Sequence, residues 1–367
     1  MIFRKPFNIY IKSTLEEKMG QMTLVSSSNV PDDEQFSEAL RKGHIGSVIN
    51  EVDPARVNAF QKIAVEESRL GIPLIVGRDV IHGFKTIFPI PLGLAATFNP
   101  ALAEQGARAA AVEATSAGVR WTFSPMLDVS RDPRWGRIAE GFGEDTYLTS
   151  VMGVAMISGY QGSDPGDPTS LAACVKHFVG YGAAEGGRDY NSTYLSERVL
   201  RNVYLPPFLA GIQAGAMTLM TSFNDNDGVP MTGNRFLMRD LLRDEWNFRG
   251  LVVSDWASVN EMIPHGFASD QAQAARLALE TGVDMDMMSF AYITQLGKLV
   301  EEGAVYEKLI DEAVRNILRI KFQLGLFDNP YVQEDLHKEM FYNPDHMELS
   351  RQSAVQSAVL LSNDGIL

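Results

Sequence analysis

The chain holds one cysteine, Cys174, in 367 residues, so no disulfide can form within it. Cys174 lies in the apolar run Leu171-Ala172-Ala173-Cys174-Val175, where a buried structural thiol is the expected reading. Positive charge is scarce: 32 Lys and Arg stand against 46 Asp and Glu, for a formal net charge of -14. Phosphate backbones require a positive field, so no nucleic-acid partner is expected. Histidines are few. The six (His44, His82, His177, His265, His337, His346) show neither His-x-His nor His-Glu-x-x-His spacing, so no metal site is expected. No Gly-x-Gly-x-x-Gly follows an apolar run, which removes the motif of a dinucleotide sheet, and no cofactor is expected. Long apolar stretches are also missing. The basic start, Met1 to Asn8, is followed by Lys12, Glu16 and Glu17 rather than by an apolar segment. Neither a signal peptide nor a membrane span is read, and no membrane partner is expected.

What is present is ordinary in bulk, with 45% hydrophobic and 21% charged residues. The length suits one barrel of ~250 residues with extensions, or two smaller domains. From about residue 45 to 325, short apolar runs alternate with stretches of helical spacing. That alternation implies a parallel sheet with crossover helices. About seven strands are legible, and their C-terminal ends gather polar residues: Asp79, Asp128, Lys176-His177, Asn224, Asp255, Asp284 and Asp286. The pattern predicts an α/β fold of the (β/α)8 TIM-barrel type, with room for irregularity, followed by a C-terminal linker helix. Helices are predicted over Thr14–Met22, which opens with a capping pattern, and over Ala101–Ala117, Thr146–Tyr160, Tyr306–Leu324 and Met347–Leu361. Asn363-Asp364-Gly365 signals a turn, and Ile366-Leu367 reads as the start of a strand.

The strand Leu251-Val252-Val253 ends in Ser254-Asp255-Trp256. A carboxylate at the C-terminal end of a barrel strand is placed for catalysis at the rim. Asp also commonly caps the helix that follows a strand. Either reading fits Asp255 taken alone. Asp284 and Asp286 are expected to brace loops.

Several motifs recur in a fixed order. They are Gly77-Arg78-Asp79-Val80-Ile81-His82-Gly83, Asp132-Pro133-Arg134-Trp135-Gly136-Arg137-Ile138-Ala139-Glu140, Lys176-His177-Phe178 and Ser254-Asp255-Trp256. Together they resemble the family 3 glycoside hydrolases of the bacterial periplasmic β-glucosidase type, over nearly the whole chain. The resemblance implies a retaining, exo-acting β-glucosidase that cleaves terminal β-D-glucosyl residues through a covalent glycosyl-enzyme. Asp255 falls on the nucleophile position. Asp79 falls on the position that accepts sugar hydroxyls, and Arg137, Lys176 and His177 on other sugar-holding positions. Arg188 is an outlying candidate, and Trp256 and Trp135 are candidate stacking surfaces for the leaving group. Arg137 also has a plain alternative, a brace to Glu140 or Glu144.

Two departures matter. Phe223 stands where many relatives carry a Tyr whose hydroxyl touches the nucleophile. In the β-glucosidase type the acid/base Glu lies in a second domain, beyond Leu367. Relatives that cleave N-acetylglucosaminides use a His in the loop after Lys176-His177, and here that place is Tyr181. Glu185 or Asp189 would be the local substitutes. The organisation expected is a barrel domain over 1–330 and a linker over 331–367 toward a second α/β domain. An exposed domain interface then invites that domain or self-association. The alternatives are a sugar-binding barrel with little turnover, or a β-xylosidase or β-N-acetylglucosaminidase of the same family. The partner expected is a β-glucoside or short β-linked oligosaccharide. The resemblance points to the periplasm; without a signal peptide the chain as it stands would be cytoplasmic.

Overall fold

The computed structural model describes residues 12–29 and 33–365. The basic start, Met1 to Asn8, and the Ile366-Leu367 strand expectation lie outside those residues. Eight parallel strands surround one core, in two arcs. The five-stranded arc comprises β1 (Thr23–Ser26), β2 (Ser47–Ile49), β3 (Ile75–Arg78), β4 (Trp121–Thr122) and, on the far side of β1, β10 (Asp286–Met287). The three-stranded arc comprises β5 (Cys174–Phe178), β6 (Thr218–Thr221) and β9 (Leu251–Val253). Parallel bridges Trp121↔Ala172 and Met126↔Lys176 join β4 to β5, and Val253↔Met285 joins β9 to β10. The ring therefore runs in sequence order, with crossover helices outside it, as a (β/α)8 barrel does. A small hairpin, β7 (Asp225–Asn226) and β8 (Val229–Pro230), is inserted after β6.

Local chemistry places the crossover helices. Thr14 and Glu17 form a reciprocal capping box at Leu15–Gln21. Asp53, Asp145 and Asp270 cap the helices that begin at Pro54, Thr146 and Gln271. The predicted helices appear with small shifts, as Pro100–Ser116, Thr146–Gln161 and Glu307–Gln323. The C-terminal helix is displaced more. It spans Pro344–Gln356, so Ala358 to Leu361 continue as non-helical chain.

The barrel interior is packed rather than open. Gly77 on β3 has no side chain because the space belongs to Phe123: a Cβ there would meet its ring at 2.9 Å. Trp121 is fully buried and donates its indole N–H to Thr218 Oγ1 at 2.8 Å, tying the two arcs together. At the opposite end from the strand termini, Lys321 of the last barrel helix reaches Gln21 Oε1 (2.6 Å) and the Gly46 carbonyl (2.9 Å). Burial without a carboxylate partner lowers its ammonium to about 7.

Two strand-end carboxylates are structural, as expected. Asp284 accepts from Val252 N (2.8 Å), Arg243 Nη2 (2.7 Å) and Asn316 Nδ2 (2.9 Å) and so pins β9 from behind. Asp286 accepts from the backbone N–H groups of Ser289, Ala291 and Tyr292 and organises the start of the next helix. No helix of the described residues is long and apolar enough to cross a membrane.

Candidate active site

The C-terminal ends of β3, β5 and β9 and the long loop after β4 converge on one cluster. Asp79 follows β3 and Lys176 lies within β5. Their side chains meet at 2.9 Å, with the ammonium 4% and the carboxylate 46% exposed. Burial disfavours the Lys176 charge, but Asp79 and Glu140 outweigh it and hold the ammonium above its usual range. Lys176 therefore stays charged, while Asp79 keeps an open side toward solvent.

His177 is held from two directions. Asp128 Oδ2 accepts from its backbone N–H (2.9 Å) and from its Nδ1 (2.8 Å). Its Nε2 stands 3.1 Å from Arg137 Nη2. Arg137 has only donors, so Nε2 accepts and Nδ1 carries the proton. The imidazole is neutral in this arrangement. Burial and the cations Arg137 and Lys176 push its pKa well down, in agreement with that tautomer. The His177–Asp128 contact is thus a hydrogen bond rather than an ion pair. Burial also raises Asp128 to about 7.

Arg137 does both things open to it. Its guanidinium forks onto Glu140, with Nε to Oε1 at 2.7 Å and Nη2 to Oε2 at 3.1 Å, and still reaches His177. It also lies over the Tyr181 ring, 5.5 Å from the centroid. Glu140 is the partner that secures its charge against burial. The brace and the site are one structure.

Asp255 ends β9. Its Oδ1 accepts from the next backbone N–H, Trp256 N, at 2.7 Å. Its Oδ2 lies 3.5 Å from His177 Nε2, is buried and has no hydrogen-bond partner among the described residues. The capping reading fails here, because the short helix Ser258–Glu261 begins after Ala257 without a side-chain cap. Burial raises Asp255 to about 6; Lys176, the Trp256 N–H and Arg137 pull it down and Asp79 pushes it up. A carboxylate oxygen without a hydrogen-bond partner beside cations has the chemistry of a nucleophile.

The aromatic residues divide. Trp256 is exposed and available for stacking. Trp135 is not: it is 1% exposed, packs edge-on to Tyr181 and donates Nε1 to Asp189 Oδ1 at 3.0 Å. The expectation that Trp135 stacks on a leaving group is therefore corrected. The indole is amphipathic, and here its N–H finds a partner 54 residues away that a sequence window does not show. Tyr181 donates its hydroxyl to the same Asp189 oxygen at 2.5 Å and meets His177 edge-on. Asp189 thus has one oxygen committed to two donors. Glu185 and Arg188 are exposed; Arg188 donates its backbone N–H to the Glu185 carbonyl at 3.3 Å, and no hydrogen bond joins its guanidinium to the other candidates among the described residues. Phe223 packs against Tyr181 and Tyr190 and offers no hydroxyl to Asp255.

Residues 14–320 match the family described as Glycosyl hydrolase family 3 N terminal domain. The chain belongs to glycosyl hydrolase family 3. It is 42% identical over 357 residues to the periplasmic beta-glucosidase of Salmonella typhimurium, covering 96% of this chain and 47% of that protein. It is 36% identical to a putative beta-xylosidase of Formosa agariphila, covering 96% of this chain and 50% of that one. Among solved structures, a beta-glucosidase from Listeria innocua superposes with a TM-score of 0.95 at 41% identity, over 100% of this chain and 53% of that chain. The Listeria protein has also been solved with glucose and, as a mutant, with laminaribiose. The chain spans about half the length of the relatives it matches.

In this family 3 barrel, sequence reasoning overlooked three groups that the fold brings to the site. Asp128 was visible as a strand-end carboxylate, but its grip on His177 is a contact across 49 residues. Glu140 was seen only as a brace for Arg137. Glu261, six residues after Asp255, carried no signal in the sequence.

Proposed function

We propose that this chain is the barrel part of a retaining β-glucosidase acting on terminal, non-reducing β-D-glucosyl residues. The observation that carries the reading is Asp255 Oδ2, a buried carboxylate oxygen without a partner, at a strand end beside His177, Lys176 and Arg137. In the first step Oδ2 attacks the anomeric carbon, the glycosidic C–O bond breaks, and the leaving oxygen takes a proton. In the second, water attacks the same carbon and gives up a proton to the base that was the acid in the first step, and the ester bond breaks with its electrons returning to Asp255. Asp79, Lys176, Arg137 and His177 hold the sugar. Asp79 accepts hydroxyl donors and the cations donate, which fixes one pose for a chain end. Trp256 faces the leaving group, and Arg188 enters only as a rim residue.

The acid for poor leaving groups is assigned, by the family resemblance, to a part of the protein outside the barrel. We read 1–330 as the barrel domain and 331–367 as the segment that leads away from it. That segment climbs the outside of the barrel. Tyr331 donates to Glu66, Asn58 binds Val332, His346 pairs with Glu113 and Ser350 donates to the Ile87 carbonyl. Val355, Val359, Leu360 and Leu361 then stand exposed, a surface suited to a second domain or a second copy. A periplasmic site of action belongs to the same reading and rests on the Salmonella relative.

The test is intact-mass spectrometry and peptide mapping after exposure to a 2-fluoro-β-glucoside with a dinitrophenolate leaving group, which departs without protonation. An adduct on Asp255 is expected. No adduct on a protein that still binds glucose favours a sugar-binding barrel without turnover. The matching 2-fluoro-xyloside, run in parallel, tests the β-xylosidase reading that the Formosa relative raises. The trapping rate has a pH signature. Asp255 attacks only when ionised and its carboxyl is raised to about 6, so the rate is flat above that pH and falls about tenfold per unit below it.

A further inference from the structure

The turn after Asp255 carries a carboxyl group that no group of the described residues engages. Ala257 adopts a left-handed backbone with φ 57°, and Ser258–Glu261 forms a single helical turn. Both sides of Glu261 are tied down. Asn260 Nδ2 donates to the Ser289 carbonyl (3.0 Å) and Asn260 Oδ1 accepts from Gln271 Nε2 (3.1 Å). His265 Nδ1 lies 3.3 Å from Asp225 Oδ2. The Glu261 backbone is used as well, with its N–H on the Ala257 carbonyl and its own carbonyl accepting from His265 N. Its half-buried side chain has no hydrogen bond or ion pair among the described residues. A fixed base with an unengaged carboxyl is how a scaffold presents a group to a ligand.

The surroundings say which ligand. Tyr190 is 48% exposed and packs against Phe223 in a tilted pair with centroids 4.7 Å apart; Phe223 packs on Tyr181, and Tyr181 on His177, which stands 3.5 Å from Asp255. Burial, then Glu261, Asp189 and Asp255, raise the Tyr190 phenol, so these groups share one neighbourhood. Burial, then Asp255 and Asp189, raise Glu261 itself to about 7. Trp256, next to the nucleophile in the chain, and Tyr190 are both exposed, and Glu261 sits on the turn that begins at the Asp255 carbonyl, which accepts from Ser258 N. Asp255 Oδ2, on a residue 8% exposed, is likewise without a hydrogen-bond partner among the described residues. Aromatic faces take the apolar faces of a sugar ring, and a carboxylate takes its hydroxyl donors.

We propose that Glu261 is a specificity-determining residue that accepts hydroxyl hydrogen bonds from a sugar leaving group, between the exposed rings of Trp256 and Tyr190. The inference rests on the β-glucosidase reading above and adds the class of leaving group, a sugar rather than a bare aryl or alkyl group.

The test uses the trapped 2-fluoroglucosyl adduct of the whole chain and follows its reactivation by intact mass. A cellobiose hydroxyl bonds to the anomeric carbon, the ester bond breaks with its electrons going to Asp255, and the hydroxyl proton passes to solvent. Azide attacks the same carbon without needing a sugar site. In wild type, cellobiose is expected to accelerate reactivation with saturation. Glu261→Ala, with its own azide reactivation rate as the reference, is expected to need about 10- to 100-fold more cellobiose for half-saturation. Glu261→Gln, which keeps the shape, is expected to fall between. The inference is overturned by unchanged half-saturation in both variants, or by wild-type reactivation that ignores cellobiose. It is equally overturned by a lower maximal rate at unchanged half-saturation, which would make Glu261 a proton-transfer group. Failure of wild type to form any adduct removes the β-glucosidase reading and this inference with it, and is seen before any variant is made.

Discussion

Asp255→Asn is expected to abolish the glycosyl adduct and to lower kcat about 1,000-fold or more, because removing a nucleophile removes the step itself. The same substitution is expected to stabilise the fold at neutral pH. Asp255 is 8% exposed and burial raises its carboxyl to about 6. A carboxyl raised on folding holds its proton more tightly in the native state than in the unfolded chain. Its contribution to stability is complete below the unfolded value near 4 and is lost as pH rises through about 6. At pH 7 the ionised group is buried with one oxygen unpaired, and the amide carries no such charge. Denaturant titrations of the two proteins should coincide near pH 4 and diverge by about 1–3 kcal/mol at pH 7, with the variant the more stable. A variant that is less stable at pH 7 would mean that the cations outweigh desolvation, and that Asp255 is structural. Retained adduct formation would place the nucleophile elsewhere.

Arg243→Met should lower stability by about 3–5 kcal/mol, the usual result of breaking a buried ion pair from one side. Arg243 and Asp284 meet at 2.7 Å with side chains 5% and 3% exposed. Arg243 Nη1 also donates to the Phe248 and Gly250 carbonyls. Burial by itself raises Asp284, and Arg243 is the first of the groups that pull it back. Met fills much of the volume but leaves Asp284 charged, buried and short of a donor. The damage falls on β9, since Asp284 also holds Val252 N, three residues before Asp255. Denaturant midpoints measure the loss. Adding Asp284→Asn to Arg243→Met should recover part of it, because the uncompensated charge goes. The exposed fork of Arg201 on Glu245 offers the contrast: screened by water, it should show little change on Arg201→Ala. Equal effects at the two sites would refute the account.

Much of the barrel was legible because its signals are local. Capping residues, apolar runs and polar strand ends lie within a few residues of what they specify. β1 escaped because Thr23-Leu24-Val25-Ser26 is short and follows the first helix after a single residue. The C-terminal helix was misplaced because most of its apolar residues, Met347, Ala354 and Val355, are exposed, and Leu349 alone packs against the core, so they mark no continuous face.

The sequence by itself determined the family, the alternation that builds the barrel, and Asp255 as a carboxylate delivered to the rim. Each of these follows from neighbouring residues or from an ordered set of short motifs. Only the tertiary structure decided what each carboxylate does. Asp284 is neutralised by Arg243 from 41 residues away, Asp128 is spent on His177 across 49, and Asp79 meets Lys176 across 97. It also buried Trp135 and left Glu261 open. A carboxylate's role depends on its donors and its solvent, and both are supplied by strands and loops far off in the chain.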